Sequence, residues 1–265
     1  MALARYDRQE IEPSQNYQKV EQMPAGRALA RVCGYMAIAV LITGIVAVGV
    51  AALMYYVAFG QHTLDEVINS FKTGQFQAPI IGYLVVFGVS ALACLIMGFA
   101  MPFMLNSTKH SAWPAFIIYA ILMGVMLSCF VLLVDIMTLA QALGISTVAF
   151  LLMFLIGRFS KVNLNPLGLV ALGLLFVVLF VGLFAGLFYW MNPAGFRMWD
   201  LVFNIIVCGL MMIVTAVDAY NIKKFLERGK ASDNVLLFCA YCLYCDFITI
   251  LIRVLLILMK AKGRN

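Results

Sequence analysis

Apolar residues run along this chain in long blocks broken by short polar stretches. The segments 32–61, 73–108, 111–134, 136–157 and 162–196 contain no Asp, Glu, Lys or Arg. Each exceeds the roughly 20 residues that a helix needs to cross the hydrocarbon core of a bilayer. The pattern predicts seven membrane helices, over residues 32–59, 78–105, 112–134, 138–157, 166–190, 201–224 and 234–259. The breaks carry turn and breaker residues: Asn106 to Ser111, Asn163-Leu164-Asn165-Pro166, Asn192-Pro193-Ala194-Gly195, and Gly229-Lys230-Ala231-Ser232-Asp233. Pro166 suits the first turn of a helix, where its missing N–H is not needed.

The expected fold class is therefore an all-α membrane protein built as a seven-transmembrane-helix bundle. Residues 1–31 form a polar, partly disordered tail, residues 32–260 the transmembrane domain, and residues 261–265 a short basic C-terminal tail. A cleavable signal peptide has an apolar core of about 7 to 15 residues near the N-terminus, whereas the first apolar run here is far longer and follows a polar segment, so the first span is expected to be retained.

Composition sharpens this picture. Of 265 residues, 65% are hydrophobic and 11% charged, against roughly 25% charged in an ordinary soluble domain. The formal charge of +6 follows membrane topology rather than nucleic-acid binding, because the basic residues are scattered through tails and loops. Counted by alternate loops, one side holds Arg5, Arg8, Lys19, Arg27, Arg31, Lys109, Arg158, Lys161, Lys223, Lys224, Arg228 and Lys230, and the other Lys72, Arg197, Lys260, Lys262 and Arg264. The richer side, with the N-terminus, is expected to be cytoplasmic. Seven crossings then put the basic C-terminus outside, so a re-entrant last segment is the competing topology.

Charges inside apolar spans cost about 2.5 to 3.5 kcal/mol each on insertion scales and mark function by default. Asp218 lies in Ile213-Val214-Thr215-Ala216-Val217-Asp218, and Asp246 in Tyr244-Cys245-Asp246-Phe247-Ile248. Residue 232, in the turn between these two spans, is midway between them. An antiparallel pair of helices therefore holds both carboxyls at similar depth. Two carboxylates at close range in low dielectric do not readily both ionise, so the pair shares a proton. Deprotonated, the same oxygens are hard ligands for Ca²⁺, a transient metal role for Asp218 and Asp246. The blander reading is that each acid is satisfied structurally, by Thr215, by Thr249 or by Arg253, whose long side chain equally suits snorkelling. Asp135, between the third and fourth spans, is expected at the outer boundary.

The run Cys239, Cys242, Cys245 reads as small packing residues, since steps of three spread thiols around a helix and both histidines, His62 and His110, lie in loops. Gly182-Leu183-Phe184-Ala185-Gly186 permits close helix contact, more often within one chain than between two. No HExxH, GxSxG or P-loop is present, and no intramembrane Ser/His pair, so neither an enzyme nor a cofactor is expected. A retinal lysine is also missing from the middle of the last span.

At its two aspartates the sequence resembles the transmembrane Bax inhibitor motif family. The last helix of that family reads Leu-Tyr-Leu-Asp-Phe-Ile-Asn, against Leu243-Tyr244-Cys245-Asp246-Phe247-Ile248-Thr249 here. Its preceding helix ends in an aspartate followed by isoleucine and a basic turn, matched by Asp218-Ala219-Tyr220-Asn221-Ile222-Lys223-Lys224, and Tyr119 to Ser128 adds a weaker match. The likeness covers about residues 27–260. It implies a bundle whose last helix is central and a pH-sensitive Ca²⁺ leak with Asp218 and Asp246 as sensor and ion pathway. Two departures stand out: Thr249 replaces the family's asparagine, and the second-helix arginine that latches one aspartate has no arginine counterpart near Leu105 to His110. Lys109, Arg253 and Thr249 are the candidates for latching or tuning.

Two other functions compete with the leak. One is a non-conducting interaction protein that restrains a membrane protease or another membrane complex, and the other is a proton-coupled transporter using the same carboxylates as a relay. The expected partners are Ca²⁺, protons and the lipid bilayer, with no nucleic acid. Compact loops and the lack of an ER-retrieval tail favour a bacterial plasma membrane over an ER membrane.

Overall fold

A long uncharged segment in lipid must satisfy its own backbone, so it folds as helix. The computed structural model describes residues 25–56, 78–105, 113–191, 193–227 and 233–262. Among them are seven helices: α1 (Ala25–Met54), α2 (Ala78–Leu105), α3 (Trp113–Leu133), α4 (Ile136–Phe159), α5 (Asn165–Met191), α6 (Pro193–Glu227) and α7 (Asp233–Lys262). Five stretches, Gly26–Met54, Trp113–Leu133, Ile136–Phe159, Asp200–Glu227 and Asp233–Lys262, are long and apolar enough to cross a membrane. The other two helices contribute shorter apolar stretches, Val85–Met101 and Pro166–Gly182.

The breaks are economical. Between α3 and α4 the chain interrupts only at Val134 and Asp135, and backbone bonds from Val134 N to Phe130 O and from Leu139 N to Asp135 O, both 3.0 Å, bridge the joint. α4 ends where Ser160 turns extended (φ −60°, ψ 131°) while its N–H still reaches Ile156 O. Pro166 falls in the first turn of α5, and Pro193 is the first residue of α6, positions that need no N–H donor.

One boundary moves. The polar tail drawn to residue 31 ends earlier, because α1 already includes Ala25 to Arg31. Ala28 and Leu29 are buried while Arg27 and Arg31 stay exposed, so this first turn and a half is amphipathic and packs one face. Residues 1–24, and the expected end of the first span at Phe59, lie outside the described residues.

Among the five long spans the last helix is the most enclosed. Of its best apolar window 67% is buried, against 22–39% in the other four long spans. It packs against α1, α2, α3, α4 and α6, while α1 lies on α3, and α4 and α5 lie on α6. The outward faces are apolar: Ile45, Phe99 and Leu169 are each more than 70% exposed. Such a surface would drive a soluble protein to aggregate, and it matches a lipid surrounding. The protein is thus an integral, multi-pass membrane protein.

Small residues set the closest helix approaches, as expected where lipid supplies no hydrophobic drive and packing holds helices together. A Cβ on Gly124 of α3 would stand 2.8 Å from the Thr43 carbonyl of α1 and 2.7 Å from Val46 Cβ. At Gly157 of α4 it would run into the Ala216 carbonyl of α6. Gly182 seats the ring of Phe203 of α6, so this glycine of the G-x-x-x-G run packs within the chain.

Aromatic and hydroxyl contacts fix α7 in rotation. Tyr244 is fully buried and packs edge-on against Phe116 (6.0 Å) and Tyr119 (6.1 Å) of α3, and Phe247 meets Phe150 of α4 at 5.7 Å. The Thr43 hydroxyl of α1 donates to Ala120 O of α3 (3.0 Å), which leaves its oxygen to accept from Tyr244 O–H at 2.6 Å. Three helices are joined by two bonds.

Two outcomes follow for stability in mixed micelles. Gly157→Ala overlaps backbone and is expected to cost about 1 to 3 kcal/mol, whereas Gly144→Ala, whose Cβ meets nothing within 4 Å, holds or gains stability. Tyr244→Phe and Thr43→Val should be non-additive, with a coupling of about 0.6 kcal/mol in a double-mutant cycle. Strict additivity would show that the hydroxyl pair contributes nothing.

Candidate functional site

α6 and α7 lie side by side, and three pairings fix their direction. Asp200 pairs with Lys260, Asn204 with Arg253, and Asp218 acts electrostatically on Asp246. As numbers rise along α6 they fall along α7, which makes the helices antiparallel and holds the two acids at one level. The antiparallel packing expected of these two spans is present, and the turn at residues 228–232 lies outside the described residues.

Asp246 is 5% exposed. Its neighbours along α7, Leu243, Tyr244, Phe247, Ile248 and Ile250, are buried as well, so the carboxyl lies on an enclosed stretch of helix. Its Oδ2 is buried without a hydrogen-bond partner. Thr215 of α6, fully buried, stands beside the carboxyl. The Thr215 hydroxyl donates to Met211 O in its own helix at 2.9 Å. The same hydroxyl also stands within hydrogen-bond reach of the Asp246 carboxyl on α7.

Asp218 is half-buried, between buried Val217 and Ala219, and within electrostatic reach of Cys239, Cys242 and Asp246. Among the described residues neither acid has a cationic partner. The arrangement therefore places two carboxyls on adjoining helices within electrostatic reach of each other.

Two tuning candidates are placed elsewhere. The guanidinium of Arg253 turns to α6, where Nη1 donates to Asn204 Oδ1 at 2.9 Å, and it meets neither aspartate. The i, i+7 spacing from Asp246 did not give the partner: Arg253 lies two turns further along α7 and turns to Asn204, nearer the start of α6 than Asp218. The Thr249 hydroxyl donates to Cys245 O, 2.7 Å away in its own helix, and leaves Asp246 alone. Lys109 lies outside the described residues. Asp135 is exposed, beside Lys262 at 3.5 Å, in keeping with a boundary position.

Other polar residues were not singled out by sequence. Asn204, 2% exposed, links Arg253 to Asp200 by donating from Nδ2 to both the Asp200 carbonyl (2.7 Å) and Oδ1 (3.0 Å). Ser146 of α4 is fully buried, and its Oγ has no partner. The signal for both was an uncharged polar residue inside an apolar run, which is weaker than a charge because a hydroxyl or amide is cheaper to bury. Among the described residues no group of three or more His, Cys, Asp or Glu side chains converges as a metal centre. The cysteines of the C-x-x-C-x-x-C run are free thiols, and Cys245 touches the Tyr119 hydroxyl at 3.8 Å.

This placement of Arg253 generates a prediction. Arg253→Met breaks its bond to the buried Asn204 amide and is expected to lower thermal stability by about 1 to 3 kcal/mol. It should leave the pH profile of any ion flux in place, since no aspartate loses an ion pair. A displaced profile would mean that Arg253 swings to an aspartate during conduction.

Among curated proteins none matches this chain. The family model described as Inhibitor of apoptosis-promoting Bax1 matches residues 26–263, a range that contains both aspartates and all the helices apart from the first residue of α1. With nearly its whole length matched, the chain belongs to this Bax inhibitor-1 family.

Proposed function

We propose that this family member is a pH-sensitive calcium leak channel, gated by protonation of the Asp218 and Asp246 pair and acting in ion homeostasis or stress survival. The observation that carries the reading is the Asp246 carboxyl: 5% exposed, one oxygen without a partner, an acid rather than a cation across from it. A lone buried charge is costly, and a buried carboxyl with no cation beside it either keeps its proton or waits for a mobile ion. Both options belong to a gate. In the neutral state the pair is an uncharged plug between α6 and α7. On ionisation the two carboxylates repel, and a Ca²⁺ ion arriving between them is held by hard oxygens but not by enough of them to stay.

The proposed architecture is a seven-span bundle with α7 at its centre and the N-terminus in the cytoplasm. The bundle's two ends differ in a way that supports it. Lys260 and Lys262 at the end of α7 lie by Asp200 and Asp135, whereas Arg158 and Lys223 meet the start of α1 at the other end. A continuous α7 that joins both ends favours crossing over re-entry. The protein acts without enzymatic chemistry or cofactor, in a membrane for which a bacterial plasma membrane is our assignment.

Ca²⁺ entry into dye-loaded liposomes containing only this protein tests the proposal. The wild-type rate should change between about pH 5 and 8, the interval open to a buried carboxyl pair. Asp218→Asn and Asp246→Asn should each flatten that profile, because one carboxyl cannot share a proton with an amide. Stability supplies an independent sign. Asparagine cannot ionise, so any gain of Asp246→Asn over wild type appears at high pH, where the wild type bears the cost of a buried carboxylate, and fades as the pH falls and the acid is neutral. Two variants with wild-type pH profiles would refute the paired gate. A wild-type protein that passes no ion would favour an interaction protein that restrains a membrane protease or other complex, and flux of protons against another solute would favour a coupled transporter.

A further inference from the structure

At the end of the bundle where α1 begins, a cavity of about 220 Å³ opens between α1, α4 and α6. Its lining is divided by chemistry. Leu29 and Leu226, 4% and 3% exposed, are apolar, and the ring of Phe159 projects outward. Arg158 at the end of α4 and Lys223 near the end of α6 supply two cations, both half-buried. The guanidinium of Arg158 lies 5.8 Å from the centre of the Phe159 ring. Among the described residues neither cation has a carboxylate partner, although Glu227 also lines the cavity; Glu227 is exposed and forms no ion pair with them.

We infer that this cavity binds the phosphate headgroup of an anionic phospholipid. A basic residue at a membrane interface ordinarily snorkels along an open surface to water. Here two such residues from different helices border one concave space with an apolar lining, which matches a ligand that is anionic at one end and hydrocarbon at the other. Gly26 of α1 completes the lining and lets the space approach the helix backbone without a side chain in between. The neighbouring Lys224 is engaged elsewhere, its ammonium 4.5 Å over the Tyr220 ring. A free phosphate would use the cations but leave the leucines and the phenylalanine idle, so the lipid fits the whole lining. The inference does not depend on the aspartate pair or on conduction.

The test is the thermal stability of the full chain in detergent, titrated with short-chain phosphatidylglycerol, with phosphatidylcholine, or with inorganic phosphate. Wild type should be stabilised by phosphatidylglycerol at concentrations where phosphatidylcholine has little effect, and added salt should weaken the response. The double variant Arg158→Gln, Lys223→Gln should need on the order of ten times more phosphatidylglycerol. Lys161→Gln, at the same end of the bundle but outside the cavity lining, should respond as wild type. Arg158→Lys, which keeps the charge, should retain most of the response, and it serves with Lys223→Gln alone where the double variant does not fold. Equal stabilisation by the two lipids, or unchanged affinity in the charge-removing variants, overturns the proposal. A full response to inorganic phosphate alone overturns the lipid as ligand and leaves an anion site.

Discussion

An acid on the most enclosed of the five long spans, without a cation to neutralise it, is the constraint around which this protein is built. Asp246 is the one ionisable acid among the fully buried described residues. Around it stand the Thr215 hydroxyl and a second carboxyl, Asp218, and among the described residues no Lys or Arg pairs with it. Had an arginine stood there, the group would be a fixed ion pair, stable over the whole accessible pH range and of no use as a sensor. On the proposed reading, leaving it unpaired is what lets its charge state follow the environment.

The remainder of α7 is held so that this change stays local. Tyr244, two residues before Asp246, is clamped by two ring contacts to α3 and by the Thr43 hydroxyl of α1, and Phe247, one residue after it, by Phe150 of α4. These contacts come from α1, α3 and α4, whereas the acid pair lies on the α6 side. Repulsion between two carboxylates would therefore strain the α6 contact while three other helices keep α7 in register. Gly157 sharpens that asymmetry by pressing α4 onto the α6 backbone at Ala216, two residues from Asp218. α6 is thus gripped from its other flank, and separation of α6 from α7 must be small or must carry α4 with it.

Much of this was legible in the sequence, for a physical reason. A charge inside an apolar run is expensive enough that it stands out without any alignment, and the short turn at residue 232 converts sequence distance into depth. The helices, the aspartate pair and the antiparallel packing of its two spans follow from those two facts. Helix rotation does not. Whether Arg253 faces Asp246, lipid or Asn204 depends on side-chain packing around the helix axis, which spacing constrains only to a face. The start of α1 was hidden by composition, since Ala25 to Arg31 is too polar to read as membrane and becomes helix by laying Ala28 and Leu29 against the bundle. Thr43, Ser146 and Asn204 were hidden because neutral polar residues occur in many membrane helices that do nothing with them.

The interior polar groups are also sorted along α7. Asp233 opens the helix and Asp246 stands near its middle, and Arg253, Lys260 and Lys262 follow towards the other end. Arg253 is met by a neutral amide, and the carboxylate of Asp200 stands one step further on, shared with Lys260. On the leak reading, a divalent cation moving from the Lys262 end towards Asp246 must pass a guanidinium whose charge is only indirectly compensated. Coulomb repulsion there would hold such a protein to a slow leak rather than a fast pore, because the attraction of the aspartates falls off with distance while Arg253 stands two turns away on the same helix. The amide of Asn204 then has a clear task. On the same reading, by fixing the guanidinium against α6 and linking it to Asp200, it keeps that positive charge away from Asp246 and leaves the proposed sensor unpaired.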